Sequence, residues 1–327
     1  MREIGSFIEL ELPKGREFYS GKTGIARLNT GRAAIWHAFR LTGASAIWIP
    51  YYQCESVREF LIKKHCVVKY YHQDSSINPV DLEPASDEAV LLVNYFGVMS
   101  STRMAEMAKH YPHVIIDNCQ AFFCHPIPGV FNVYSARKFV GVPDGSYVMG
   151  PDAERFIDEY PQGYSSDTAS FLFMRIEYGC EGKGYESRSI NEERVDSEDI
   201  MRMSALTRSL LDGSDYEHNQ RKRKENFQLA HSLLKEVNLI DPTRYMDDKT
   251  VPMVYPLVVE NDRLIDALLA AKHFQGHWWS YITNELPEET FEHWISKFVI
   301  PITIDQRYGE EDIRFISSVV FKTIQEG

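Results

Sequence analysis

Short apolar, β-branched runs recur through the first half of the chain, at Ala46–Pro50, Val67–Tyr71, Ala89–Tyr95, His113–Cys119, Val130–Ser135 and Gly145–Gly150. Between several of them lie stretches with helical spacing. Thr30–Leu41 sets Ala34, Ile35, Ala38 and Phe39 on one face, and Ser56–His65 and Ser101–His110 behave in the same way. Strands that read as continuous apolar runs and alternate with helices imply a mostly parallel central sheet covered on both sides, a three-layer α/β/α architecture. A sheet of that kind holds its ligand beyond the carboxyl ends of its strands. Asp117 is placed there, near the end of one run.

Residues 151–200 break the alternation. Gly163, Gly179, Gly182 and Gly184 are mixed with Tyr, Ser and charged residues, which predicts irregular excursions in place of a packed layer. A long helical stretch follows from about Ser204 to Val237. It is interrupted at Asp212-Gly213-Ser214-Asp215, where Asp215 can cap the second helix. Asp241-Pro242 marks a turn. Beyond it, a strand over Val251–Glu260, a helix over Arg263–His273, apolar residues Phe298–Pro301 and a helix over Glu310–Ile324 read as a smaller α+β lobe. The expected division is an N-terminal segment (1–24), a large domain (25–240) and a small domain (241–327).

With 327 residues the chain can build a large core plus a smaller lobe. Its formal net charge of -12 argues against a nucleic-acid binder, which normally carries a basic face. The run Arg221-Lys222-Arg223-Lys224 lies in a Gln/Glu-rich helical pattern and reads as a solvated helix face. Five cysteines without a Cys-x-x-Cys pair suit reduced thiols and point to neither a disulfide framework nor a metal site. No apolar run approaches membrane-spanning length and the N-terminus has no apolar signal core, so the expectation is a soluble cytoplasmic protein.

Three groups in the first half suggest a shared chemistry. Asp117 ends one predicted strand, and Ser135 and Lys138 follow the next, within Tyr134-Ser135-Ala136-Arg137-Lys138. An aldehyde cofactor with a basic ring nitrogen and a phosphate needs a lysine for an imine, a carboxylate for the ring and donors for the phosphate. Asn29-Thr30-Gly31-Arg32 opens a helix whose free amides and dipole favour an anion. Each residue alone has a plainer reading: a surface loop lysine, a strand-end capping acid, an ordinary helix cap. Their combination points to pyridoxal 5'-phosphate (PLP).

In order, Thr30-Gly31-Arg32-Ala33-Ala34, Pro50-Tyr51-Tyr52-Gln53-Cys54, Phe96-Gly97, Asp117-Asn118-Cys119-Gln120-Ala121 and Tyr134-Ser135-Ala136-Arg137-Lys138 resemble the DegT/DnrJ/EryC1/StrS aminotransferases, PLP enzymes of fold type I. The tail Ile300–Tyr308 is similar to that family's C-terminal lobe. The resemblance implies Lys138 as the Schiff-base lysine, Asp117 as the pyridinium partner and Gln120 beside the ring. It also implies that Ser135 and the Gly31 and Arg32 amides hold the phosphate. Glutamate as amino donor, a keto acceptor such as a nucleotide-linked keto sugar, and a homodimer are further implications.

The chain departs from the family pattern at three places. Cys54 stands where an aromatic ring often stacks on the cofactor, and Tyr51, Tyr52 or the thiol itself could make that contact. Arg202-Met203-Ser204 replaces a longer Asn-Tyr-Arg-Met segment, and Val142-Pro143-Asp144-Gly145 replaces a Gly-Glu-Gly-Gly. His277, Trp278, Trp279 and Tyr281 read either as pocket-lining residues or as core aromatics. Arg307 reads as a carboxylate-binding group or a surface ion pair. Two other classes stand beside the enzyme: a non-catalytic sensor or scaffold on the same fold, and a cysteine or metal hydrolase using Cys119, Cys124 and His125, whose spacing matches no common ligand set.

Overall fold

The computed structural model describes residues 4–326. Its centre is an eight-stranded sheet of β1 (Ile25–Leu28), β2 (Ala46–Pro50), β3 (Val67–Gln73), β4 (Pro79–Val80), β5 (Glu88–Val93), β6 (His113–Asn118), β7 (Phe131–Ser135) and β8 (Ser146–Met149). The spatial order is β1-β8-β7-β6-β5-β2-β3-β4. Strands β7, β6, β5, β2 and β3 are mutually parallel, while β8 runs against both β7 and β1, and β4 against β3. After β3 the chain returns to the other side of β2, so the strand order reverses there and the strand ends open a crevice.

Alternation along the strands feeds two cores. Val90 and Leu92 of β5 and Val114 and Ile116 of β6 face one apolar cluster, while Ala89, Leu91 and Ile115 face another. The second cluster is completed by helix α1 (Gly31–Thr42) and helix α2 (Glu55–Lys63). The first continues through α3 (Ser101–Ala108) and into the C-terminal elements. Both faces are therefore buried, which is why these strands read as unbroken apolar runs.

The sheet reading of the sequence matches, apart from β1 and β4, strands of four and two residues too short to register as runs. Residues 151–200 differ in part from expectation. Residues 151–169 are the turns and irregular stretches expected, but the rest holds two helices, α4 (Ser170–Tyr178) and α5 (Lys183–Ser197), packed on each other as a hairpin turned by Gly179 (φ 76°) and Gly182 (φ 51°). The hairpin buries little: Phe173, Ile176, Tyr178, Tyr185 and Ile190 are exposed. With no apolar stripe aimed at a core, α5 carries no amphipathic signal in its sequence.

Helices α6 (Ala205–Asp212) and α7 (Tyr216–Leu234) follow, split where expected, and the Asp215 side chain accepts from the His218 amide as the cap of α7. Past them, β9 (Val254–Val258) and β10 (Val299–Thr303) form an antiparallel pair. Helices α8 (Leu264–Ala270), α9 (Ile282–Glu285), α10 (Phe291–Phe298) and α11 (Glu310–Gln325) complete the chain. Among the described residues no helix is long and apolar enough to cross a membrane.

Candidate active site

The first turn of α1 lies at the carboxyl edge of β6 and β7. Thr30 caps it, its side chain accepting from the Ala33 amide, and its carbonyl takes a 2.8 Å hydrogen bond from the Ser146 hydroxyl. The Gly31 and Arg32 amides, first in the helix, have no acceptor within it. A Cβ on Gly31 would stand 2.7 Å from the Cys119 Sγ and 3.9 Å from the Ser135 Cβ. Helix start, β6 exit and β7 end thus enclose a cradle with room for a glycine and no larger residue. Ser135 is buried in its wall.

Asp117 lies one residue before the end of β6 and is buried. Its Oδ1 accepts from the Cys119 amide at 2.9 Å and its Oδ2 from the Gln53 Nε2 at 3.3 Å. Gln53, just past β2, is itself fixed, since its Oε1 accepts from the Cys54 amide at 2.7 Å. The carboxylate is therefore held from both sides.

Gln120 supports the neighbouring strand end. Its Oε1 accepts from the Phe96 amide at 2.6 Å. Phe96 has φ 59° and Gly97 φ 71°, consecutive left-handed residues after β5. A bulky residue held there costs about 1–3 kcal/mol, so the Gln120 acceptor stabilises a strained turn. A Cβ on Gly97 would collide with the Gln120 carbonyl.

Burial pushes the Cys119 thiol well above its ordinary range; Asp117 adds to this and Lys138 opposes it. Cys119 is thus a neutral wall residue, and the Lys138 ammonium lies within electrostatic reach of it. Cys124 is pushed up to about 12 by burial, its Sγ 3.9 Å from the carbonyl of the exposed His125. Neither thiol is activated, which removes the nucleophile a cysteine hydrolase would need. Among the described residues no group of three or more His, Cys, Asp or Glu is arranged to hold a metal ion.

Lys138 sits on a turn beyond β7 closed by the Phe139 amide on the Ala136 carbonyl at 2.9 Å. It is exposed, unlike Asp117, Gln120 and Ser135. The Arg32 side chain leaves the cradle: it pairs with Asp196 at 2.6 Å and donates to the Val195 carbonyl, tying α5 to α1. Cys54 is half-buried, its Sγ 3.1 Å from the Ser56 Oγ. Tyr51 stacks on Tyr70, and Tyr52 is buried against Tyr95 and Trp279.

The C-terminal aromatics brace the strand ends. Trp278 stacks on Phe96, Trp279 meets Tyr52 edge-on, and the Tyr281 hydroxyl donates to the Gln53 carbonyl at 2.7 Å. His277 hydrogen-bonds the Val299 carbonyl at 3.0 Å. The exposed Arg307 forms a two-pronged pair with the buried Asp305, at 2.9 and 2.7 Å.

Sequence reasoning assigned no role to Gln53 or Asp144, and weighed Cys119 only as a hydrolase residue. Asp144 is buried and accepts from the Ser204 amide (3.0 Å), the Ser204 hydroxyl (2.9 Å) and the Thr207 hydroxyl, joining the end of the Lys138 loop to the start of α6. A buried acid 60 residues before a Ser-x-x-Thr helix start would have been the signal only if the two segments were known to meet.

No protein-family model matches the sequence, and no curated protein matches it. Solved structures do. The sugar aminotransferase CalS13 from Micromonospora echinospora is similar with a TM-score of 0.60 at 18% identity, over 94% of this chain and 88% of that one. A DegT DnrJ EryC1 StrS aminotransferase from Brucella abortus gives 0.59 at 14% identity, over 91% and 85%. The ntda protein from Bacillus subtilis, solved with bound cofactor PMP, gives 0.63 at 12% identity, over 92% and 73%. This chain has the α/β fold of those aminotransferases.

Proposed function

We propose that the protein is a PLP-dependent aminotransferase that moves an amino group from an amino acid, glutamate on the family resemblance, to a keto acceptor. The observation that carries this reading is the meeting of the Gly31 cradle, Ser135 and a doubly held Asp117 at one sheet edge, with Lys138 on its rim. The folds it resembles belong to aminotransferases, one of them with PMP bound.

The residues fit the cofactor. Glycine at the start of α1 lets its backbone approach an anion, and a helix start favours negative charge there by about 0.3–1 kcal/mol. The Gly31 and Arg32 amides and the Ser135 hydroxyl would hold the phosphate, and Asp117 would face the ring nitrogen. PLP supplies an aldehyde that captures amines and a ring that accepts the electron pair released at the substrate α-carbon.

Asp117 would keep the ring nitrogen protonated, since a nearby opposite charge favours a charged form by about 1–3 pKa units. Lys138 would provide the amine for attachment, and its free Nζ would take a proton from the substrate α-carbon and return it, a positioned base working in both directions. Cys119, held neutral, contributes shape and no charge. A nucleotide-linked keto sugar as acceptor and a homodimer belong to the same proposal.

One observation favours a second reading, a non-catalytic protein on the same fold: Lys138 is exposed while its companions are buried. A visible absorbance scan with and without glutamate separates the two. An aminotransferase with added PLP shows a band that shifts on addition of glutamate, and an acceptor screen over keto sugars and oxo-acids reverses it. A protein that is colourless once unbound PLP has been removed supports the scaffold.

A further inference from the structure

The helix that reads in sequence as a solvated basic face hides one of its cations. Arg223, on α7, is 2% exposed, although Arg221 on the same run lies at the surface. Its guanidinium lies over the Phe139 ring, 4.5 Å from the centroid. Its Nε donates to the Gln306 Oε1 at 3.1 Å and its Nη1 to the Met253 carbonyl at 2.9 Å. The Gln306 Nε2 in turn donates to the Phe139 carbonyl at 2.8 Å. Phe139 directly follows Lys138. The turn carrying the lysine is thus gripped at the next residue twice, on the ring by Arg223 and on the carbonyl by Gln306.

The same grip reaches the other side of the site. The Met253 amide donates to the carbonyl of the strained Phe96 at 2.8 Å, and the Phe96 amide is held by Gln120. One run of contacts, Gln120–Phe96–Met253–Arg223–Gln306–Phe139, therefore links the strand end beside Asp117 to the lysine turn.

A buried cation is a costly way to fill this space. Burial pushes the Arg223 guanidinium down to about 10 against the pull of Asp305, whose own charge is shared with Arg307. An apolar residue of similar volume packs such a site with equal or greater stability. What an apolar residue lacks is the donor that orients Gln306 so that its amide group faces the Phe139 carbonyl.

Resting on the aminotransferase reading, we infer that Arg223 and Gln306 are positioning residues that set the Lys138 turn for attachment to the cofactor and for proton transfer. Neither needs to touch cofactor or substrate. In the attachment step the Lys138 Nζ bonds to the aldehyde carbon and one water leaves.

Gln306 is the better handle, being half-buried and outside any helix or strand. Gln306→Met keeps the volume and loses both hydrogen bonds. Gln306→Glu keeps an acceptor for Arg223 but cannot donate to the Phe139 carbonyl. Both variants, and Arg223→Met if it folds, would be mixed with PLP, followed by absorbance, and trapped with borohydride for mass measurement at Lys138. Both Gln306 variants should attach PLP about tenfold more slowly than wild type, the scale of the Phe139 hydrogen bond that both lose. Their kcat should fall while KM for the amino donor is unchanged. Wild-type attachment rates and kcat in both variants would overturn the positioning role and leave the aminotransferase reading standing. Failure of the wild-type protein itself to attach PLP at Lys138 would overturn both.

Discussion

Gly31 rests against Cys119 so closely that one added methyl group would stand 2.7 Å from the sulfur. Gly→Ala inside a helix ordinarily stabilises by about 0.5–1 kcal/mol. Here the sign should reverse, because the sulfur is buried and overpacking costs about 1–3 kcal/mol. Gly31→Ala is therefore expected to lower the urea midpoint and weaken PLP binding together. Adding Cys119→Ala should restore the stability, since the atoms then nearest the new methyl lie at 3.9 Å. Equal midpoints for wild type and the single variant would show that the contact is not tight.

Asp117→Asn keeps an oxygen for the Cys119 amide but turns an NH2 group toward the Gln53 Nε2, its present partner. The fold should survive. The ring nitrogen loses its anion, so the rate of amino transfer from glutamate should fall about ten- to thousandfold, following an opposite-charge effect of about 1–3 pKa units. Single-turnover absorbance kinetics check this, and an unchanged rate would place the carboxylate away from the ring.

The longer strands and the place of Asp117 near the end of one of them follow from local pattern, because β5 and β6 are buried on both faces and each announces itself as an apolar run. The split between α6 and α7 is equally local, resting on a glycine and a capping aspartate. What could not be read is what depends on distant segments meeting. The Arg221–Lys224 run shows no sign that residue 223 alone turns inward onto Phe139. Tyr51 and Tyr52 could not be told apart until Tyr70 and Trp279 were seen beside them. The hairpin α4–α5 was missed because its apolar side chains face outward, so helical periodicity has no core to mark.

Burial pushes His273 down to about 4, and its Nε2 accepts from the Thr303 amide at 3.2 Å. It is folded neutral, whereas an unfolded histidine titrates near 6.5. Between those values the unfolded chain binds more protons, so stability is full above about pH 6.5 and falls as the pH drops toward about 4. The loss approaches about 3 kcal/mol. Urea denaturation at pH 7 and pH 4.5 should show a smaller difference for His273→Gln than for wild type; matching differences would refute the assignment.

Asp144 accepts from Ser204 and Thr207 out of contact with solvent. Asp144→Ala should cost about 2–4 kcal/mol, since hydrogen bonds to a charged group are worth about 1.5–3 kcal/mol each and the buried donors are left unpaired. A denaturation midpoint within error of wild type would mean that the loop and α6 are held together by other contacts.

The attachment of PLP to Lys138 is tested most directly by borohydride reduction of the purified protein with PLP, followed by peptide mass analysis. The expected result is a single reduced adduct on Lys138, absent when that residue is replaced by Ala. An adduct on a different lysine, or none at all, would contradict the assignment.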